Sequence, residues 1–194
     1  DWSSDVCSSD LDNDHVLRFA KSEIAQKMFS DLEYEYKLKV LGCSSYGIRQ
    51  IISKNPVKTP EDLKGLKFRV PEQNIWIEVI KSMGASPTPI AYVETYMALQ
   101  QGVVDALDNP MSGIRSMKFY EVAKNISKTS HVTVVCYFLM NGETFKKMEE
   151  KRQVILLDSF NEASRHIVDI LNKEDRELGD FFTGQGLTII QPDI

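Results

Sequence analysis

The stretch Thr59-Pro60-Glu61-Asp62-Leu63-Lys64-Gly65-Leu66-Lys67-Phe68-Arg69-Val70-Pro71 contains a helix start, a turn and a strand in direct succession. Thr59 and Pro60 are typical of the first positions of a helix, and Asp62 stands where the acid of a capping box belongs. Gly65 can adopt the left-handed conformation that ends such a one-turn helix. The stretch therefore predicts a short helix that leads directly into a strand.

The second half of this stretch has the two-residue period of a strand. The apolar residues Leu66, Phe68 and Val70 alternate with basic ones, and Pro71 is expected to end the strand because it has no N–H for the sheet. Arg69 is thereby placed at the end of a strand, where a guanidinium group can bind a carboxylate through two parallel hydrogen bonds. The same pattern fits an arginine on a solvated face or in a surface ion pair, and the stretch alone leaves both readings open.

The rest of the chain alternates predicted helices with predicted strands, which indicates an α/β fold with a mainly parallel sheet. From the apolar periodicity we expect helices at about 15–34, 76–83, 94–101 and 112–120, strands at 38–43, 48–53, 103–106 and 126–140, and turns at 44–47 and 107–110. Ligands of such sheets bind beyond the carboxyl ends of the strands. Arg69 and Asn109 both fall at predicted strand ends.

A helical pattern of unusual length follows. From Thr144 to about Phe182 apolar residues keep helical spacing, with no proline and with no glycine before Gly179. A strict heptad with charged flanks is absent, so we expect a helix that lies across more than one layer or domain rather than a coiled coil. Another strand is predicted to begin at Leu187.

Composition and charge exclude several classes of function. The 194 residues have ordinary apolar and charged fractions, no apolar run reaches the length of a membrane span, and the formal charge is −5. This charge, without a basic cluster, argues against a nucleic-acid surface. No nucleophile, phosphate-loop, dinucleotide or metal motif surrounds the three histidines, so neither a cofactor, a metal nor an enzymatic activity is expected.

The first eleven residues, Asp1 to Leu11, differ from the remainder. They lack apolar periodicity and have none of the features of a signal peptide. The string resembles the translation of a sequencing-library adapter, so residues 1–11 are predicted to be a non-native tail. Without Cys7 two cysteines remain, Cys43 and Cys136, and the sequence leaves open whether they are free thiols or a disulfide.

Six motifs along the chain occur together in one protein family. In order they are Gly47-Ile48-Arg49-Gln50, the stretch Thr59 to Pro71, Met83-Gly84-Ala85-Ser86-Pro87-Thr88-Pro89, Tyr96-Met97-Ala98-Leu99-Gln100-Gln101-Gly102-Val103-Val104-Asp105, Asp108-Asn109-Pro110 and Lys118-Phe119-Tyr120-Glu121-Val122. With these spacings, residues 12–194 resemble the DctP-type solute-binding proteins of tripartite ATP-independent periplasmic (TRAP) transporters.

The resemblance implies a periplasmic-binding-protein-like architecture of two α/β domains that close on an organic acid. It predicts a remnant of the first domain at 12–44 and 135–150, the second domain at 45–134, a domain-spanning helix at 144–182, and the start of a strand at 187–194. Family chains continue before residue 12 and after Ile194, so the chain is expected to be a fragment. As given, it is expected to bind ligand weakly or not at all and to expose apolar surface.

The function implied by the resemblance is that of a periplasmic, monomeric solute-binding subunit. It captures a carboxylate-containing organic acid and delivers it to the TRAP membrane permease subunits, without enzymatic activity, nucleic acid or a membrane span of its own. A ligand-sensing module that signals to a membrane partner is the alternative, and an α/β hydrolase is a more distant one.

The resemblance also assigns ligand contacts. It makes Arg69 the carboxylate anchor, Arg49 a second arginine on the ligand, Asn109 a supporting amide and Tyr92 an aromatic that packs on the ligand. Without the resemblance, Arg49 reads as an ordinary ion-pair residue, Asn109 as a turn residue before Pro110, and Tyr92 as a core aromatic.

Two acids near this set, Glu72 and Asp108, are candidates for a role in specificity or for supporting an arginine. Family members read Asp-Gly-x-Glu-Asn-Pro where this chain has Asp105-Ala106-Leu107-Asp108-Asn109-Pro110. Asp108 is one methylene shorter than glutamate, so any bond it makes to an arginine is expected to be rearranged. Glu72 either contacts the ligand or points to solvent, and solvent is favoured.

Overall fold

The structure is a computed structural model that describes residues 12–192, so the predicted tail at residues 1–11 lies outside the described residues. The chain divides into two compact units. Within the described range, unit 1 comprises residues 12–48 and 132–173, and unit 2 comprises residues 49–131 and 174–192. The chain therefore passes from one unit to the other between residues 48 and 49, between 131 and 132, and between 173 and 174.

Helices and strands alternate along the described chain, as the sequence predicts for an α/β fold. The helices are α1 (Asn13–Ala20), α2 (Glu23–Tyr36), α3 (Asn74–Ser82), α4 (Thr95–Gln101), α5 (Met111–Ser116), α6 (Gly142–Lys146) and α7 (Glu150–Gly184). The strands are β1 (Leu38–Ser53), β2 (Lys67–Val70), β3 (Ser86–Pro89), β4 (Ala106–Asn109), β5 (Asn125–Asn141) and β6 (Thr188–Ile190). Over the described residues, none of these helices combines the length and apolarity that a bilayer crossing needs.

The six strands form one sheet in the order β3-β2-β4-β1-β5-β6. Strand β2 is parallel to both β3 and β4, and β5 is parallel to β6, whereas β1 is antiparallel to β4. Three of these four pairings are parallel, so the sheet is mainly parallel, as predicted, except that β1 runs antiparallel to β4. Local periodicity misses this difference, because a buried apolar strand reads the same whichever way its neighbour runs.

Unit 2 has helices on both faces of its strands. Successive side chains of a strand point to opposite faces, and Ile51 and Ile52 accordingly belong to different hydrophobic clusters. The Ile51 cluster includes Phe68 of β2 and Ile80 of α3. The Ile52 cluster gathers residues of α4, α5 and the end of α7, including Phe182. The unit thus has a core on each side of the sheet, which holds the strand ends in fixed positions.

Strand β1 continues through Ser44-Ser45-Tyr46-Gly47, where the sequence predicts a turn. In unit 1 the Ser44 hydroxyl donates to the carbonyl of Ser164 at 3.1 Å, and the Ser45 hydroxyl donates to the Asn13 side chain at 2.6 Å. These bonds satisfy polar groups that would otherwise favour a solvated turn. Gly47, at φ +113°, provides the local irregularity within an unbroken strand.

Each of two predicted long helices is divided into two separate helices in the structure. The helix expected at 15–34 is α1 followed by α2, because Ser22 accepts the N–H of Ala25 and starts a new helix. The helix expected at Thr144–Phe182 is α6 followed by α7. Its second part begins where the carbonyl of Glu149 accepts N–H groups of the first helical turn, and α7 still contains 35 residues.

The stretch Thr59–Pro71 adopts the predicted succession of structures. A 3-10 turn at Pro60–Leu63 follows Thr59, and Asp62 accepts backbone N–H groups from Lys58 and Thr59 at 2.8 and 3.0 Å. Gly65 has φ +73°, and β2 follows directly. The predicted strand is confirmed, and Arg69 is its next-to-last residue.

Candidate functional site

Four adjacent strands of unit 2 each contribute one charged or titratable side chain near the same sheet edge. In the order β2-β4-β1-β5 these are Arg69, Asp108, Arg49 and His131. The register places Arg69 opposite Leu107 and Gln50 opposite Asn109. The parallel strands β2 and β4 therefore end where β1 enters unit 2, and a group on each strand can reach the space beyond this edge.

Arg49 and Asp108 form a buried ion pair. The Arg49 Nε and Nη2 atoms donate to the two carboxylate oxygens of Asp108 at 2.5 and 3.0 Å, and Nη2 also donates to the Asp108 carbonyl at 2.6 Å. The guanidinium carbon lies 4.7 Å from the ring centre of Trp76 on α3, a cation–π contact. Arg49 is therefore held by β4 on one side and by an aromatic ring on another.

Asp108 is ionised despite its burial. Burial opposes ionisation, but hydrogen bonds from His131 and Arg49 outweigh it and lower the pKa of Asp108 to about 2. His131 Nε2 lies 3.2 Å from the carboxylate, and its Nδ1 lies 2.7 Å from the Thr129 hydroxyl. The Nε2 atom is placed to donate to the carboxylate, and the Thr129 hydroxyl holds the other side of the ring. The acid therefore neutralises Arg49 at any ordinary pH.

The position of His131 is fixed by an unusual backbone. Ser130 has φ +47°, in the left-handed region that non-glycine residues rarely adopt. The side chain of Gln50 holds it there, donating to the Ser130 hydroxyl at 3.1 Å and accepting the Ser130 N–H at 3.0 Å. Such conformations persist where surrounding contacts enforce them, and here they bring His131 to Asp108.

Arg69 is buried but has no acid of its own. It is 4% exposed, and among the described residues its guanidinium makes one hydrogen bond, from Nε to the carbonyl of Ile90 at 2.9 Å, and no ion pair. Its guanidinium carbon lies 5.5 Å from the ring centre of Tyr92. Burial and the nearby charge of Arg49 lower the pKa of Arg69, and the opposing attraction of Asp108 and Tyr92 offsets this only in part.

Asn109 and Tyr92 complete the cluster. The Asn109 Nδ2 donates to the Tyr92 hydroxyl at 2.8 Å, and the Tyr92 ring meets Phe119 edge-on at 6.0 Å between ring centres. Asn109 is 2% exposed, whereas Tyr92 is 36% exposed. Gly113 of α5 lies against the Asn109 side chain and leaves room for it. An amide and a phenol are thus oriented beside the Arg69 guanidinium.

The structure therefore brings together five of the six residues singled out from the sequence: Arg49, Arg69, Tyr92, Asp108 and Asn109. Glu72 is exposed to solvent, the alternative that its sequence context favours over a ligand contact. Asn109 ends strand β4 rather than standing in a turn, because all four residues of β4 are buried and pair with neighbours.

Three residues of the cluster, His131, Trp76 and Gly113, are not predicted from the sequence. His131 and Asp108 are far apart in the chain and meet only because β4 and β5 both flank β1. The sequence pattern places Trp76 on an apolar helix face, and its position in the first turn of the helix after β2 is the signal for its role here. Gly113, inside α5, carries no sequence signal beyond being a glycine in a helix.

The side chains of this cluster include groups of the kind that bind anions. Among the described residues no group of three or more histidine, cysteine or acidic side chains has the arrangement of a metal site. Cys43 and Cys136 are separate thiols, and burial raises the pKa of both. An oriented guanidinium with an amide and a phenol beside it suits a carboxylate.

Comparison with known proteins gives a consistent result. Residues 11–193 match the sequence profile of the bacterial extracellular solute-binding protein family 7, DctP. The sialic acid-binding periplasmic protein SiaP of Vibrio cholerae is 31% identical over 183 residues, which are 94% of this chain and 57% of SiaP. The chain thus spans about half the length of the curated relatives it matches.

Solved structures have the same fold. A TRAP periplasmic solute-binding protein from Roseobacter denitrificans with bound 3-deoxy-D-manno-oct-2-ulosonic acid has a TM-score of 0.90 and 28% identity, over 94% of this chain and 62% of that one. A second, from Ochrobacterium anthropi with bound L-fuconate, has a TM-score of 0.84 and 33% identity, over 94% and 60% of the two chains.

Proposed function

Because this chain belongs to the bacterial extracellular solute-binding protein family 7, the DctP family, we propose that it captures a carboxylate-containing organic acid as the extracytoplasmic solute-binding subunit of a TRAP transporter. The relatives named above are solute-binding proteins and not enzymes. The acids bound by the two solved relatives, and the sialic acid of SiaP, each contain a carboxylate.

The observation that carries this proposal is the state of Arg69. A buried guanidinium without an acid is unfavourable, because burial removes water from the charge, and the hydrogen bond of Arg69 to the Ile90 carbonyl and its contact with the Tyr92 ring replace only part of that hydration. Arg69 is buried at 4% exposure, and Arg49 adds a second positive charge nearby. A bound carboxylate would pair with the terminal nitrogens of Arg69 and remove both penalties. The site therefore favours a carboxylate in that place.

The other groups have complementary roles in this proposal. Asn109 and Tyr92, joined by a 2.8 Å hydrogen bond, orient polar atoms beside the anchor. Arg49 is held by Asp108 and Trp76. The hydrogen bonds of Arg49 to described residues use only Nε and Nη2, so its Nη1 group is available as a donor to a ligand oxygen. The site thus combines one charged anchor with neutral or neutralised partners.

Location and partners follow from the family rather than from the site. We propose that the protein acts in the periplasm, as a monomer, and passes its ligand to the TRAP membrane permease subunits. Units 1 and 2 then correspond to parts of the two family domains, with the ligand anchor in the second. Helix α7 has residues in both units, as the domain-spanning helix of the proposal requires.

Ligand-induced stabilisation tests this function. The protein expressed from its complete gene is screened by thermal unfolding against sugar acids, dicarboxylates and amino acids. A ligand at one hundred times its Kd stabilises the folded state by about 2.7 kcal/mol, which is a readily measured rise in Tm. We expect a carboxylate to give this rise in the unmodified protein and in Arg152→Ala, which changes an exposed arginine, but not in Arg69→Ala. A rise that survives in Arg69→Ala would exclude Arg69 as the anchor.

A further inference from the structure

We propose that Gln50 is a positioning residue of the ligand site, which acts by holding Ser130 in its left-handed conformation. That conformation places His131 on Asp108. The effect of Gln50 on ligand affinity rests on the proposed function, because it is transmitted through Arg49, a group proposed to meet the ligand. The placement of His131 is independent of that function and can be measured without any ligand.

Gln50 lies on the face of the sheet that carries Arg69. Gln50 is the register partner of Asn109, and Arg69 is that of Leu107, two residues before Asn109. Paired residues, and residues two apart on one strand, direct their side chains to the same face. Gln50, Asn109 and Arg69 therefore share one face, whereas Asp108 stands on the other. A side chain on the first face thus controls an ion pair on the second.

His131 reaches Asp108 across an intervening strand. Strand β1 separates β5 from β4, so the two backbones are about 10 Å apart. Side chains of a regular strand stand roughly perpendicular to the sheet, and an imidazole in that orientation would not meet a carboxylate two strands away. The distance from His131 Nε2 to Asp108 Oδ2 is nevertheless 3.2 Å. A local departure of β5 from regular geometry is therefore required, and Ser130, directly before His131, provides it at φ +47°.

A serine does not adopt this conformation without support from its surroundings. The left-handed region is unfavourable for residues with a Cβ, and of these only Asn and Asp enter it readily. Here Gln50 Oε1 accepts the Ser130 N–H at 3.0 Å, and Gln50 Nε2 donates to the Ser130 hydroxyl at 3.1 Å. Gln50 is itself buried and paired with β4. One fixed side chain thus binds both the backbone and the side chain of Ser130.

The effect on the ligand site passes through one carboxylate oxygen. The Oδ2 atom of Asp108 accepts hydrogen bonds from both His131 and Arg49. Without the bond from His131 the carboxylate is free to rotate, and the Arg49 guanidinium loses the fixed plane that aims its Nη1 group at a ligand oxygen. Gln50 therefore sets the orientation of this donor indirectly.

Imidazole NMR tests the placement of His131. The protein from its complete gene is prepared with isotope-labelled histidine, and the Nε2–H signal of His131 is assigned by its loss in His131→Phe. A proton shared with a buried carboxylate exchanges slowly with water, so we expect a sharp signal at pH 7 without ligand. Gln50→Leu should abolish this signal. Ser130→Val should abolish it too, because it keeps Gln50 but introduces a β-branched residue that the left-handed region excludes.

Rescue by glycine distinguishes positioning from a general loss of stability. Glycine adopts positive φ at little cost, so the double variant Gln50→Leu/Ser130→Gly should regain the signal although the bonds from Gln50 remain absent. Ser130→Gly alone should keep it. Gln153→Leu, which removes a half-buried glutamine that donates to the Met148 carbonyl at 3.0 Å, and Lys118→Val, at another left-handed residue with φ +55°, are the matched controls. Both should lower stability and leave the signal in place.

Ligand affinity is measured by calorimetry on the same variants, with sialic acid, L-fuconate and 3-deoxy-D-manno-oct-2-ulosonic acid. For an acid that the unmodified protein binds, we expect the Kd to be about tenfold higher in Gln50→Leu. The double variant with Ser130→Gly should return to within about threefold of the unmodified value. The two controls should leave the Kd unchanged.

The two readouts separate this inference from the proposed function. A signal that persists in Gln50→Leu, or one that the glycine double variant does not recover, would overturn the positioning of His131 by Gln50. Should Gln50→Leu fail to fold, the comparison of Ser130→Val with Ser130→Gly decides. Loss of the signal with an unchanged Kd would overturn the role of Gln50 in binding and leave the organic-acid function standing. Absence of binding by every carboxylate would overturn that function, and with it the effect of Gln50 on affinity.

Discussion

The α-carbon of Gly113 lies directly against the side-chain amide of Asn109. A Cβ at Gly113 would stand 2.6 Å from Nδ2 and 2.8 Å from Cγ of that amide, distances that real atoms do not tolerate. Because the hydrogen bond from Asn109 to Tyr92 starts at the same Nδ2, the absence of a side chain on α5 permits the orientation of a polar group on β4.

Gly113→Ala should therefore weaken ligand binding without unfolding the protein. The added methyl group must displace the Asn109 amide and break its bond to Tyr92, and the loss of one neutral hydrogen bond predicts a Kd about tenfold higher. Calorimetry measures the affinity and chemical denaturation measures the stability. Gly179→Ala is the matched control, since a Cβ there meets no atom within 4 Å; it should stabilise α7 by up to about 1 kcal/mol and leave the Kd unchanged. An unaltered Kd in Gly113→Ala would show that the orientation of Asn109 does not matter for binding.

Arg69→Met should raise the stability of the ligand-free protein while it abolishes binding. The substitution replaces a buried cation that has no acidic partner by an apolar side chain of similar length, which removes the desolvation cost of the charge and its repulsion by Arg49. We expect this gain to exceed the loss of the hydrogen bond to the Ile90 carbonyl, which is worth about 1 kcal/mol. We expect a higher midpoint of urea denaturation together with the loss of the ligand-induced rise in Tm. Arg152→Met, on the exposed face of α7, is the control and should alter neither quantity. A marked loss of stability in Arg69→Met would mean that an acid pairs with Arg69 in the ligand-free protein.

The lowered pKa of Asp108 predicts a specific loss of stability in acid. A carboxyl whose folded pKa is about 2, against an ordinary value of 3.8, contributes stability that is complete above the unfolded value and is lost as the pH falls through the folded one. Asp108→Asn should therefore be less stable than the unmodified protein by about 3–5 kcal/mol at pH 7, because it leaves Arg49 buried and unpaired. We expect this difference to shrink by about 2 kcal/mol between pH 5 and pH 2. Urea denaturation across this range measures it, and a difference that does not vary with pH would refute the assignment.

His131 is predicted to position the Asp108 carboxylate and thereby to affect the same loss of stability in acid. His131→Phe removes the N–H that reaches Asp108 at 3.2 Å, so the folded pKa of Asp108 rises toward its unfolded value. The acid loss of stability should then begin at a higher pH, and the stability at pH 7 should fall by about 1–3 kcal/mol. His131→Gln, which keeps a donor, should recover part of both effects, and His166→Phe, on the exposed face of α7, should show neither. If His131→Phe leaves the acid transition in place, His131 does not hold Asp108.

The sequence was most informative where local chemistry determines the outcome. Thr59, Asp62 and Gly65 specify their turn through their own hydrogen bonds and backbone preferences, and the alternation up to Pro71 fixes β2. The place of Arg69 at a strand end could therefore be predicted without any knowledge of the fold. Its ligand-binding role came from the family resemblance and stays a prediction.

Other parts of the site depend on pairings that no local pattern contains. Asp108 and Asn109 look like turn residues, because short polar side chains before a proline usually are. Burial between β1 and β2 makes them strand residues instead. The contact between Asp108 and His131 requires the strand order β4-β1-β5, which periodicity cannot supply.

The left-handed conformation of Ser130 cannot be predicted from the sequence either, because Gln50, on another strand, enforces it.

Asp108 also has a consequence for the architecture of unit 2. Arg49 is the first residue and His131 the last of the continuous segment 49–131, and both bind the same carboxylate. The two ends of this segment are therefore held together at the Asp108 carboxylate. Asp108 thus closes segment 49–131 into a loop, so loss of this one carboxylate is expected to release both ends of the segment together.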